Sequence, residues 1–577
     1  MHTFNIKIGG EAGQGLVSIG NILLQATAKE GWHLFAHQDY ESRIRGGHNF
    51  FQLRLADQPV ASWENEIDVL VALDETTITL GQTELRADGV VIYDPDVLGE
   101  KAEAYVQQPN YLGLPFARMA EGLGQRKIMA NAVAAGAIWA LLSEDLTVLL
   151  GTLRAMFESK GEQVVEGNQK VAEAGFAKVQ ELVGSRPKPA KPEGIGDRLL
   201  LKGNDALPLG ALAAGLKFMS AYPMTPATGV TEFVAEHGKD LSVVMEQAED
   251  EISAINMAIG ASYAGVRAMT ATSGGGFALM TEALSLAGSA EIPIVVINAM
   301  RPGPSTGLPT RTEQGDLAFA VAMSFGDFPR AVLSPGDVEE AFFLMGQALN
   351  LAEEYQMPVV VLSDQHLADS YTTVPVPPFD LSKVEIKRGR VVSGAEASED
   401  YLRYAYSKDG ISPRLYPGFG EGVVVSTGDE HDQGGHLIED GQARQKMMEK
   451  RMAKQKLVEA SALDPILCGS EEPDAMLIGF GSTKGAIAEA VDILNRGGCK
   501  VQGIHLPQVF PLPDSLEALL QRPARKFIVE GNFSGQLESL IASRFAMRST
   551  GSIRRYDGRP INAEYIISKL GGGVCSG

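Results

Sequence analysis

Residues 220–227 read Ser220-Ala-Tyr-Pro-Met-Thr-Pro-Ala227, and this stretch decides the class of fold. It follows a helix-like run of small apolar residues, 206–216, and a short apolar segment that is typical of a strand. Its two prolines restrict the backbone and prevent a helix from forming until after Pro226. Met224 and Thr225 are therefore predicted to lie in a rigid loop at the carboxyl end of a strand, where open α/β sheets bind ligands. A proline-rich turn without a function is the alternative interpretation of these residues.

The chain after this stretch repeats the order of strand, polar loop and helix. Strands are predicted at 242–245, 267–272 and 292–298. The loops after them are rich in charged, hydroxyl and glycine residues: Glu249-Asp-Glu251, Thr272-Ser-Gly-Gly-Gly276 and 301–310. Because the carboxyl ends of parallel strands meet at one edge of a sheet, we expect these loops to form a polar pocket of carboxylate size. Arg301 is the anion-binding candidate there, whereas acids at a helix start are explained equally by the helix dipole.

The first 185 residues open with a strand, a glycine-rich turn and a helix. Residues 4–8 alternate as in a strand, Gly9-Gly-Glu-Ala-Gly-Gln-Gly15 follows at once, and a helix is predicted from Leu16. Such a turn points backbone N–H groups and a helix N-terminus at a phosphate, although the spacing is not the full dinucleotide fingerprint. Arg43 and Arg45 stand in a nearby glycine-containing loop and would hold a phosphorylated anion by bidentate contacts. A tight turn and two solvated arginines are the alternative.

The segment Arg186-Pro-Lys-Pro-Ala-Lys-Pro192 marks the clearest domain boundary, because it reads as an extended and exposed linker. The polar stretch 381–472 is predicted to connect the neighbouring domains and to wrap around them as an interface segment. Helices are predicted within it at 399–406 and 443–458. The last hundred residues contain buried strands again. The predicted organisation is a domain at 1–185, a linker at 186–197, a domain at 198–380, a connecting segment at 381–472 and a domain at 473–577.

Composition excludes several classes of protein. The formal net charge of −22 over 577 residues argues against nucleic acid or an anionic membrane surface as a partner. Cys468, Cys499 and Cys575 lie far apart without a C-x-x-C pair, so we expect no iron–sulfur cluster or zinc site from this chain alone, and no metal ligands. The N-terminus is unlike a signal peptide and no apolar run reaches about 18 residues, so we expect a cytoplasmic protein.

The loops described above resemble the α subunit of 2-oxoacid:ferredoxin (acceptor) oxidoreductases. The motifs that carry this resemblance are Tyr222-Pro-Met-Thr-Pro226, Glu249-Asp-Glu251, Thr270-Ala-Thr-Ser-Gly-Gly-Gly276 and 301–310. Gly13-Gln-Gly15 resembles the γ domain of that family, here fused N-terminally, and Gly428-Asp-Glu-His-Asp432, 445–452, 479–484 and 530–536 resemble its middle region and its transketolase-C-like domain. The resemblance covers nearly the whole chain in the family's order. Met224 stands where the family usually has isoleucine, and Gly275 where it often has proline.

This resemblance implies an α/β fold with three doubly wound parallel-sheet domains: a γ domain, a pyrimidine-side thiamine domain and a transketolase-C-like domain. Family members bind thiamine diphosphate between this subunit and a β subunit, which carries Mg²⁺ and a [4Fe-4S] cluster. The chain has no glycine–aspartate–glycine diphosphate motif ending in paired asparagines, which agrees with that division. The implied partners are the β subunit, ferredoxin, a 2-oxoacid and coenzyme A, in an (αβ)2 assembly, with no nucleic acid and no membrane.

Glu251 is the residue that the resemblance places against the N1′ nitrogen of the thiamine aminopyrimidine, where a shared proton favours the imino tautomer. Thiamine enzymes carry a small residue three positions after this glutamate and a glycine nine positions after it, here Ala254 and Gly260. Glu249 fits these offsets less well and is the second candidate. The other implied residues are Thr272, Ser273 and Gly274 for thiamine; Tyr222, Thr225, Arg301 and Thr310 for the substrate, with Thr225 and Arg301 also catalytic; and Gly10, Gly13, Gln14, Gly15, Arg43 and Arg45 for coenzyme A.

The expected function is that of a γα-fused subunit in an enzyme that oxidatively decarboxylates 2-oxoglutarate with coenzyme A to succinyl-CoA, CO2 and reduced ferredoxin. A preference for pyruvate or for branched-chain 2-oxoacids is the near alternative, because no residue identifies a partner for a distal carboxylate. Two alternatives come from other classes: a non-catalytic scaffold that binds coenzyme A, and a transketolase-like transferase that works without ferredoxin.

Overall fold

The computed structural model describes residues 2–43, 46–184, 186–192, 198–376, 383–392, 394 and 397–571. The chain divides into two compact units, Met1–Leu201 with Ser370–Pro377, and Lys202–Asp369 with Pro378–Gly577. The described residues form three β-sheets flanked by helices, one in the first unit and two in the second. The predicted α/β class with three sheets is confirmed.

The sheet of the first unit is mixed. Its described strands are β1 (Thr3–Ala12), β2 (His33–Asp39), β3 (Gly46–Ala56), β4 (Ile67–Ala72), β5 (Leu85–Tyr93), β6 (Tyr111–Gly113), β7 (Arg198–Lys202) and β14 (Tyr371–Pro375), in the order β6-β5-β4-β1-β3-β2-β14-β7. β4 pairs in parallel with β1 and β5, whereas β3 runs antiparallel to β1 and β2. A short loop joins β2 to β3, and a connection of that length returns the chain antiparallel. The sheet is therefore not parallel throughout.

Two strands of this sheet, β7 and β14, lie outside the range 1–185 that the sequence assigned to the first domain. β14 reaches the sheet from much later in the chain and pairs antiparallel with β2. The linker before β7 lies along the same unit, where Lys188 donates to the Ala140 carbonyl at 2.5 Å and Lys191 forms an ion pair with Glu30. The lysines of the linker thus bind it to its own unit, whereas the sequence predicted an exposed tether.

Helices cover the first sheet and enclose its core. They are α1 (Leu16–Lys29), α2 (Glu75–Gly81), α3 (Pro95–Leu98), α4 (Phe116–Gly122), α5 (Ala130–Leu142), α6 (Thr147–Phe157) and α7 (Glu162–Val183). α5 consists mostly of alanine, glycine and large apolar residues and is almost wholly buried. It packs closely on α7, since a Cβ at Gly136 would lie 2.0 Å from the Ala172 carbonyl oxygen. Small residues at this crossing let the two backbones approach.

The central sheet of the second unit carries the loop Tyr222–Ala227. Its described strands are β8 (Phe218–Ala221), β9 (Val244–Gln247), β10 (Ala268–Thr272), β11 (Ile294–Met300), β12 (Ala331–Leu333), β13 (Pro358–Asp364) and β18 (Gln508–Phe510), in the order β18-β12-β13-β11-β10-β8-β9. The pairs are parallel except β12 with β18. β10, β11 and β13 are buried along their whole length, as expected for strands covered on both faces. The flanking helices are α8 (Gly203–Ala213), α9 (Thr228–His237), α10 (Glu251–Tyr263), α11 (Gly274–Leu279), α12 (Thr281–Ser289), α13 (Leu317–Ala322), α14 (Val338–Tyr355) and α15 (Gln365–Asp369).

The third sheet belongs to the same unit and shares an apolar core with the central sheet. Its described strands are β15 (Ile466–Gly469), β16 (Ala475–Phe480), β17 (Val501–Leu506), β19 (Arg525–Glu530) and β20 (Gly551–Arg554), in the order β15-β17-β16-β19-β20, and only the pair of β15 with β17 is antiparallel. The helices of this part are α16 (Gly441–Ala460), α17 (Thr483–Arg496), α18 (Ser515–Leu520), α19 (Gln536–Phe545) and α20 (Ala563–Leu570).

The connecting segment contains one of the two predicted helices. The helix predicted at 443–458 is present as α16, but the helix predicted at 399–406 is wrong, because those residues form turns. Long-range hydrogen bonds replace the helical ones there: the Tyr401 hydroxyl donates to the Pro413 carbonyl at 2.8 Å, and the Arg403 guanidinium donates to the Glu291 carbonyl at 2.8 Å. Among the described residues, no helix combines the length and the apolar character that crossing a bilayer requires.

Candidate active site

The predicted pocket residues of the second unit lie at the carboxyl ends of four neighbouring strands, β9, β8, β10 and β11. The loop after β8 contains Thr225, the loop after β9 leads into Glu251, the loop after β10 starts at Ser273, and Arg301 directly follows β11. This is the edge at which parallel sheets place their ligands.

Glu251 is the first residue of α10 and is only 4% exposed. It does not cap its helix, because Asp250 does so by accepting a hydrogen bond from the Ser253 N–H at 2.7 Å. Oε1 of Glu251 is buried and has no hydrogen-bond partner among the residues that the structure describes. Since an unpartnered buried carboxylate oxygen costs free energy, this atom indicates a place where a polar group binds.

Gly276 leaves the space in front of Glu251 open. A Cβ at this glycine would lie 2.6 Å from Oε1 of Glu251 and 2.1 Å from Oγ1 of Thr272. Both distances are shorter than a van der Waals contact, so any side chain here would displace the carboxylate or the hydroxyl. The first turn of α11 and the start of α10 are therefore in direct contact at Gly276 and Glu251.

Burial separates the two glutamate candidates. Glu249 is exposed, as is Glu246, whereas Glu251 points into the unit. A carboxylate in contact with bulk water is screened, and it offers a bound ring no sheltered acceptor. The geometry therefore favours Glu251 over Glu249.

The loop after β10 adds hydroxyl groups beside Glu251. Thr272 and Ser273 are fully buried, and Oγ1 of Thr272 lies 3.9 Å from Sδ of Met224 in the loop after β8. Within the described ranges, the buried hydroxyls of Ser273 and Thr270 have no hydrogen-bond partner. Hydroxyls on β10 and directly after it, and a carboxylate oxygen at the start of α10, are thus buried and unpaired within the described residues.

Arg301 connects the loop after β11 with the loop after β8. Its Nη1 donates to the Thr225 carbonyl oxygen at 2.7 Å. Burial lowers the pKa of the Arg301 guanidinium, and the Asp316 carboxylate opposes that shift. The loop after β8 is held from its other side by Asn204, whose amide donates to the Pro226 carbonyl at 2.8 Å. Two long-range hydrogen bonds therefore fix the position of Thr225.

The remaining substrate candidates differ in exposure. Tyr222 is 38% exposed, whereas Thr310 is buried in the loop after β11. Thr310 follows Ser305 and Gly307, which both have positive φ angles, 58° and 55°. At Gly307 a Cβ would come within 1.7 Å of the Pro302 carbonyl oxygen, so this turn requires glycine.

Three polar residues of this site were not predicted from the sequence: Asn298, Glu313 and Asp316. The Asn298 amide donates to Oδ2 of Asp316 at 3.3 Å, and a Cβ at Gly274 would lie 2.7 Å from the same oxygen. Burial raises the pKa of Asp316, while Asn298 and Arg301 act in the opposite direction. Burial and the nearby Asp316 raise the pKa of Glu313 to about 7. The only feature of the sequence that could have indicated these three residues is their position near the end of β11 or in the loop after it.

Gln314 joins this loop to the third sheet. Its side-chain amide donates to the Phe480 carbonyl at 2.9 Å and accepts from the Gly531 N–H at 2.9 Å. Gln536 donates in the same region to the Gly315 carbonyl at 2.7 Å. The turns after β16 and β19 therefore support the loop that carries Glu313 and Asp316.

The coenzyme A candidates lie in the first unit. The glycine turn after β1 and the loop after β2 line a cavity of about 510 Å³, whose lining includes Gly13, Gly15 and Arg43. Gly13 and Gly15 have φ angles of 93° and 90°, which favour glycine. Arg43 is exposed and forms an ion pair with Glu41 at 3.0 Å. Arg45 lies outside the described residues.

Gly10 and Gln14 lie against each other in the same glycine-rich segment. A Cβ at Gly10 would lie 2.5 Å from Oε1 of Gln14, and that oxygen accepts a hydrogen bond from the Glu11 N–H at 2.7 Å. The Gln14 side chain therefore stabilises the turn itself. No group of three or more His, Cys, Asp or Glu side chains that could hold a metal ion occurs in the described parts of either unit.

Two family models match the chain. The model described as pyruvate flavodoxin/ferredoxin oxidoreductase, thiamine diP-bdg, matches residues 209–450, which contain Glu251 and Arg301. The model described as pyruvate ferredoxin/flavodoxin oxidoreductase matches residues 5–178, which contain the glycine turn.

Individual relatives cover nearly the whole length. The 2-oxoacid:ferredoxin oxidoreductase subunit alpha of Sulfolobus sp is 33% identical over 620 aligned residues, which cover 98% of this chain and 96% of the relative. The 2-oxoglutarate oxidoreductase subunit KorA of Mycobacterium tuberculosis is 29% identical, and the alignment covers 94% of this chain and 87% of that relative. A solved structure of 2-oxoglutarate:ferredoxin oxidoreductase from Magnetococcus marinus, with 2-oxoglutarate, coenzyme A and succinyl-CoA bound, has a TM-score of 0.91 at 33% identity and covers 99% of both chains.

Proposed function

The chain belongs to the family of 2-oxoacid:ferredoxin oxidoreductase α subunits, and we propose that it is the γα-fused subunit of an enzyme that converts 2-oxoglutarate and coenzyme A to succinyl-CoA, CO2 and reduced ferredoxin. The observation that carries the proposal is the buried Glu251 carboxylate, whose Oε1 has no partner within the described chain, at the ligand-binding edge of the central sheet. The choice of 2-oxoglutarate rests on the names of the M. tuberculosis relative and of the M. marinus structure.

Thiamine diphosphate is the cofactor that the residues of this pocket fit. Glu251, Thr272 and Ser273 would hold its aminopyrimidine, because they offer a carboxylate oxygen and buried hydroxyls beside the space left by Gly276. When bound, the cofactor supplies the nucleophilic carbon and the electron sink that decarboxylation requires. A β subunit would supply the diphosphate site with Mg²⁺ and the [4Fe-4S] cluster.

Glu251 has the role of holding a proton at Oε1 against a ring nitrogen. A carboxylate in a buried site of low dielectric forms a stronger hydrogen bond than one in water. The position of Glu251 at the helix start, with Asp250 as the cap, leaves its side chain free for this contact.

Arg301 and Thr225 would orient the 2-oxoacid. One guanidinium nitrogen of Arg301 is engaged by the Thr225 carbonyl, so the remaining N–H groups are available for a substrate carboxylate. Tight pairing of this carboxylate in the ground state would oppose the loss of CO2. The arrangement therefore suits an arginine that orients the substrate without clamping it, with Tyr222 and Thr310 at the sides.

The variant Arg301→Lys is expected to raise KM for the 2-oxoacid and to lower turnover, because lysine cannot make the two-pronged contact. We expect a loss of about 10- to 100-fold in kcat/KM, as for a charged hydrogen bond of roughly 1.5–3 kcal/mol. Steady-state assays of the reconstituted complex measure kcat and the KM for the 2-oxoacid. Arg390→Lys, at an exposed ion pair with Asp409, is the matched control. Normal kinetics in the Arg301 variant would remove this residue from the pocket.

Coenzyme A is proposed to bind at the 510 Å³ cavity of the first unit. The glycine turn there presents the N-terminus of α1, and backbone N–H groups at a helix start suit phosphate. Gly10 and Gln14 shape the turn, Gly13 and Gly15 line the cavity, and Arg43 and Arg45 would supply positive charge.

The double variant Arg43→Gln/Arg45→Gln is expected to raise KM for coenzyme A by about 3- to 10-fold and to leave KM for the 2-oxoacid unchanged, since solvent-exposed charges contribute modestly. Arg118→Gln is the control, because Arg118 is equally exposed in the same unit and pairs with Asp96. An unchanged KM for coenzyme A would move the coenzyme A site elsewhere.

The proposed function is tested by assaying the complex of this chain with a cysteine-rich β-type partner against a panel of 2-oxoacids. We expect reduction of a low-potential acceptor that requires coenzyme A and is fastest with 2-oxoglutarate. A higher kcat/KM for pyruvate or a branched-chain 2-oxoacid would correct the substrate. Activity without coenzyme A or any electron acceptor would favour the transketolase-like alternative.

A further inference from the structure

We propose that Asp316 and Glu313 form an acidic pair that balances the charge of Arg301 and so sets how strongly the pocket holds the carboxylate of its 2-oxoacid substrate. In this role both acids are positioning residues, since they act on the substrate through Arg301. The inference rests on the proposed function, because it assigns a further role within the same pocket.

The first argument is the placement of Asp316. Its Oδ2 accepts from the Asn298 amide at 3.3 Å, and Asn298 stands three residues before Arg301 at the end of β11. Gly274 brings the start of α11 so close that a Cβ there would lie 2.7 Å from Oδ2. Asp316 is therefore held at the ends of β10 and β11, at the edge that Arg301 also occupies.

The second argument is the support given to the backbone around this acid. Gln314 is 2% exposed and binds the turns after β16 and β19, while Gln536 accepts from the Ala318 N–H at 2.8 Å and donates to the Gly315 carbonyl. An acidic side chain that is solvated at the surface does not require hydrogen bonds of this kind to fix its backbone. These hydrogen bonds fix the backbone of residues 313–318, which carries the carboxyl groups of Glu313 and Asp316.

The third argument is electrostatic. Asp316 and Arg301 stabilise each other's charged forms, and Glu313 interacts with Asp316. Asn298 and Gly274 contact Asp316, and Arg301 is the cation whose charge acts on it. Since burial and Asp316 raise the pKa of Glu313 to about 7, Glu313 becomes negatively charged near neutral pH.

The Asn298 side chain is an independent indication that a polar group binds near Asp316. It is fully buried, and its Oδ1 has no hydrogen-bond partner in the described part of the chain. A fully buried amide with one free acceptor next to Asp316 indicates that a hydrogen-bond donor enters there. A carboxylate cannot supply that donor, because an ionised carboxylate only accepts hydrogen bonds.

The consequence is a dependence of substrate affinity on pH. Below pH 7 Glu313 is protonated and Asp316 alone opposes the attraction between Arg301 and the substrate carboxylate, whereas above pH 7 the charge of Glu313 weakens that attraction further. The wild-type complex is therefore expected to show a KM for the 2-oxoacid that rises about 3- to 10-fold from pH 6 to pH 8. Glu313→Gln should flatten this rise, because the amide does not ionise.

Asp316→Asn removes the carboxylate that stabilises the charged form of Arg301. We expect KM and kcat to fall together, each by about 3- to 10-fold, since the carboxylate is then held more tightly in the ground state than the transition state requires. A merely structural role predicts the opposite pattern, a raised KM with reduced stability. Asp327→Asn, an exposed acid after α13, is the matched control with unchanged kinetics.

The decisive measurement is calorimetry of the intact complex with the 2-hydroxy analogue of its preferred 2-oxoacid, in buffers of different ionisation enthalpy. An anion bound at Arg301 favours the protonated form of Glu313, so binding at pH 7.5 should take up protons in the wild type and not in Glu313→Gln. A wild type with a pH-independent KM and no proton uptake, or a Glu313→Gln complex that keeps both effects, would overturn the inference alone. A complex inactive with every 2-oxoacid would instead overturn the proposed function and, with it, this inference.

Discussion

A reconstituted complex carrying Glu251→Gln is expected to lose about 100- to 10,000-fold in kcat, with little change in the KM for the 2-oxoacid. Glutamine keeps the size of the side chain but cannot share a proton with the ring nitrogen of thiamine, and positioned proton transfer contributes about this factor. The measurement is acceptor reduction under saturating thiamine diphosphate, coenzyme A and 2-oxoacid.

The same variant should stay folded. Oε1 of Glu251 has no partner within the described residues, so replacing the charged group by an amide removes a buried charge without breaking an ion pair. Its thermal unfolding temperature is therefore expected to equal or exceed that of the wild type. A loss of activity together with a loss of stability would show that Glu251 is structural.

Glu249→Gln is the matched control, two positions earlier and exposed to solvent. We expect its kcat to stay within about threefold of the wild type, since exposed acids are screened. If the Glu249 variant loses turnover and the Glu251 variant does not, the assignment of the two acids is reversed. Unchanged turnover in both would favour the non-catalytic scaffold.

The second large effect is expected in stability, at the buried ion pairs that bind α16 to the central sheet. Glu291 lies three residues before the start of β11 and is fully buried, and its two carboxylate oxygens accept from Lys450 at 2.6 Å and from Lys454 at 2.7 Å. Burial lowers the pKa of Lys454 to about 8, although Glu291 opposes this shift. Two buried ammonium groups thus depend on one carboxylate.

Glu291→Gln is expected to lower the free energy of unfolding by about 3–5 kcal/mol, because it leaves buried charges without compensation. Chemical denaturation of the chain measures this loss. Glu430→Gln is the graded control: its partners Arg444 and Arg451 attach the same helix, and Arg451 is buried, but Arg444 is exposed and Glu430 is itself 15% exposed, so we expect a smaller loss. Equal losses in the two variants would contradict the importance of burial.

Much of the fold was predictable from local pattern. The strands at 267–272 and 292–298 appear as β10 and β11 because continuous apolar runs bounded by polar loops are typical of buried parallel strands. β9 lies at 244–247, two residues later than predicted, since a short strand at a sheet edge has weak boundaries. Thr225 and Arg301 were predicted as site residues because each follows a predicted strand, and Glu251 because of the family resemblance; these roles stay predictions.

Other features depend on contacts that no local pattern reports. Short apolar segments such as β7, β14 and β18 carry little information on which sheet they will join, because pairing depends on neighbours far away in the chain. The turns at 399–406 replaced a predicted helix because Tyr401 and Arg403 found distant carbonyl groups. Glu313 and Asp316 stayed unnoticed because acids in a loop are usually solvated.

The sequence by itself determined the α/β class, the three-sheet organisation, the strand-end loops and the family, because apolar periodicity, proline and glycine placement and motif order are all local properties. Only the tertiary structure decided that Glu251 and not Glu249 is buried, that Arg301 donates to the Thr225 carbonyl, and that the Asn298 amide donates to Asp316. Burial, and the shifts in pKa that follow from it, arise from packing between distant segments, and that packing is set by the folded chain as a whole.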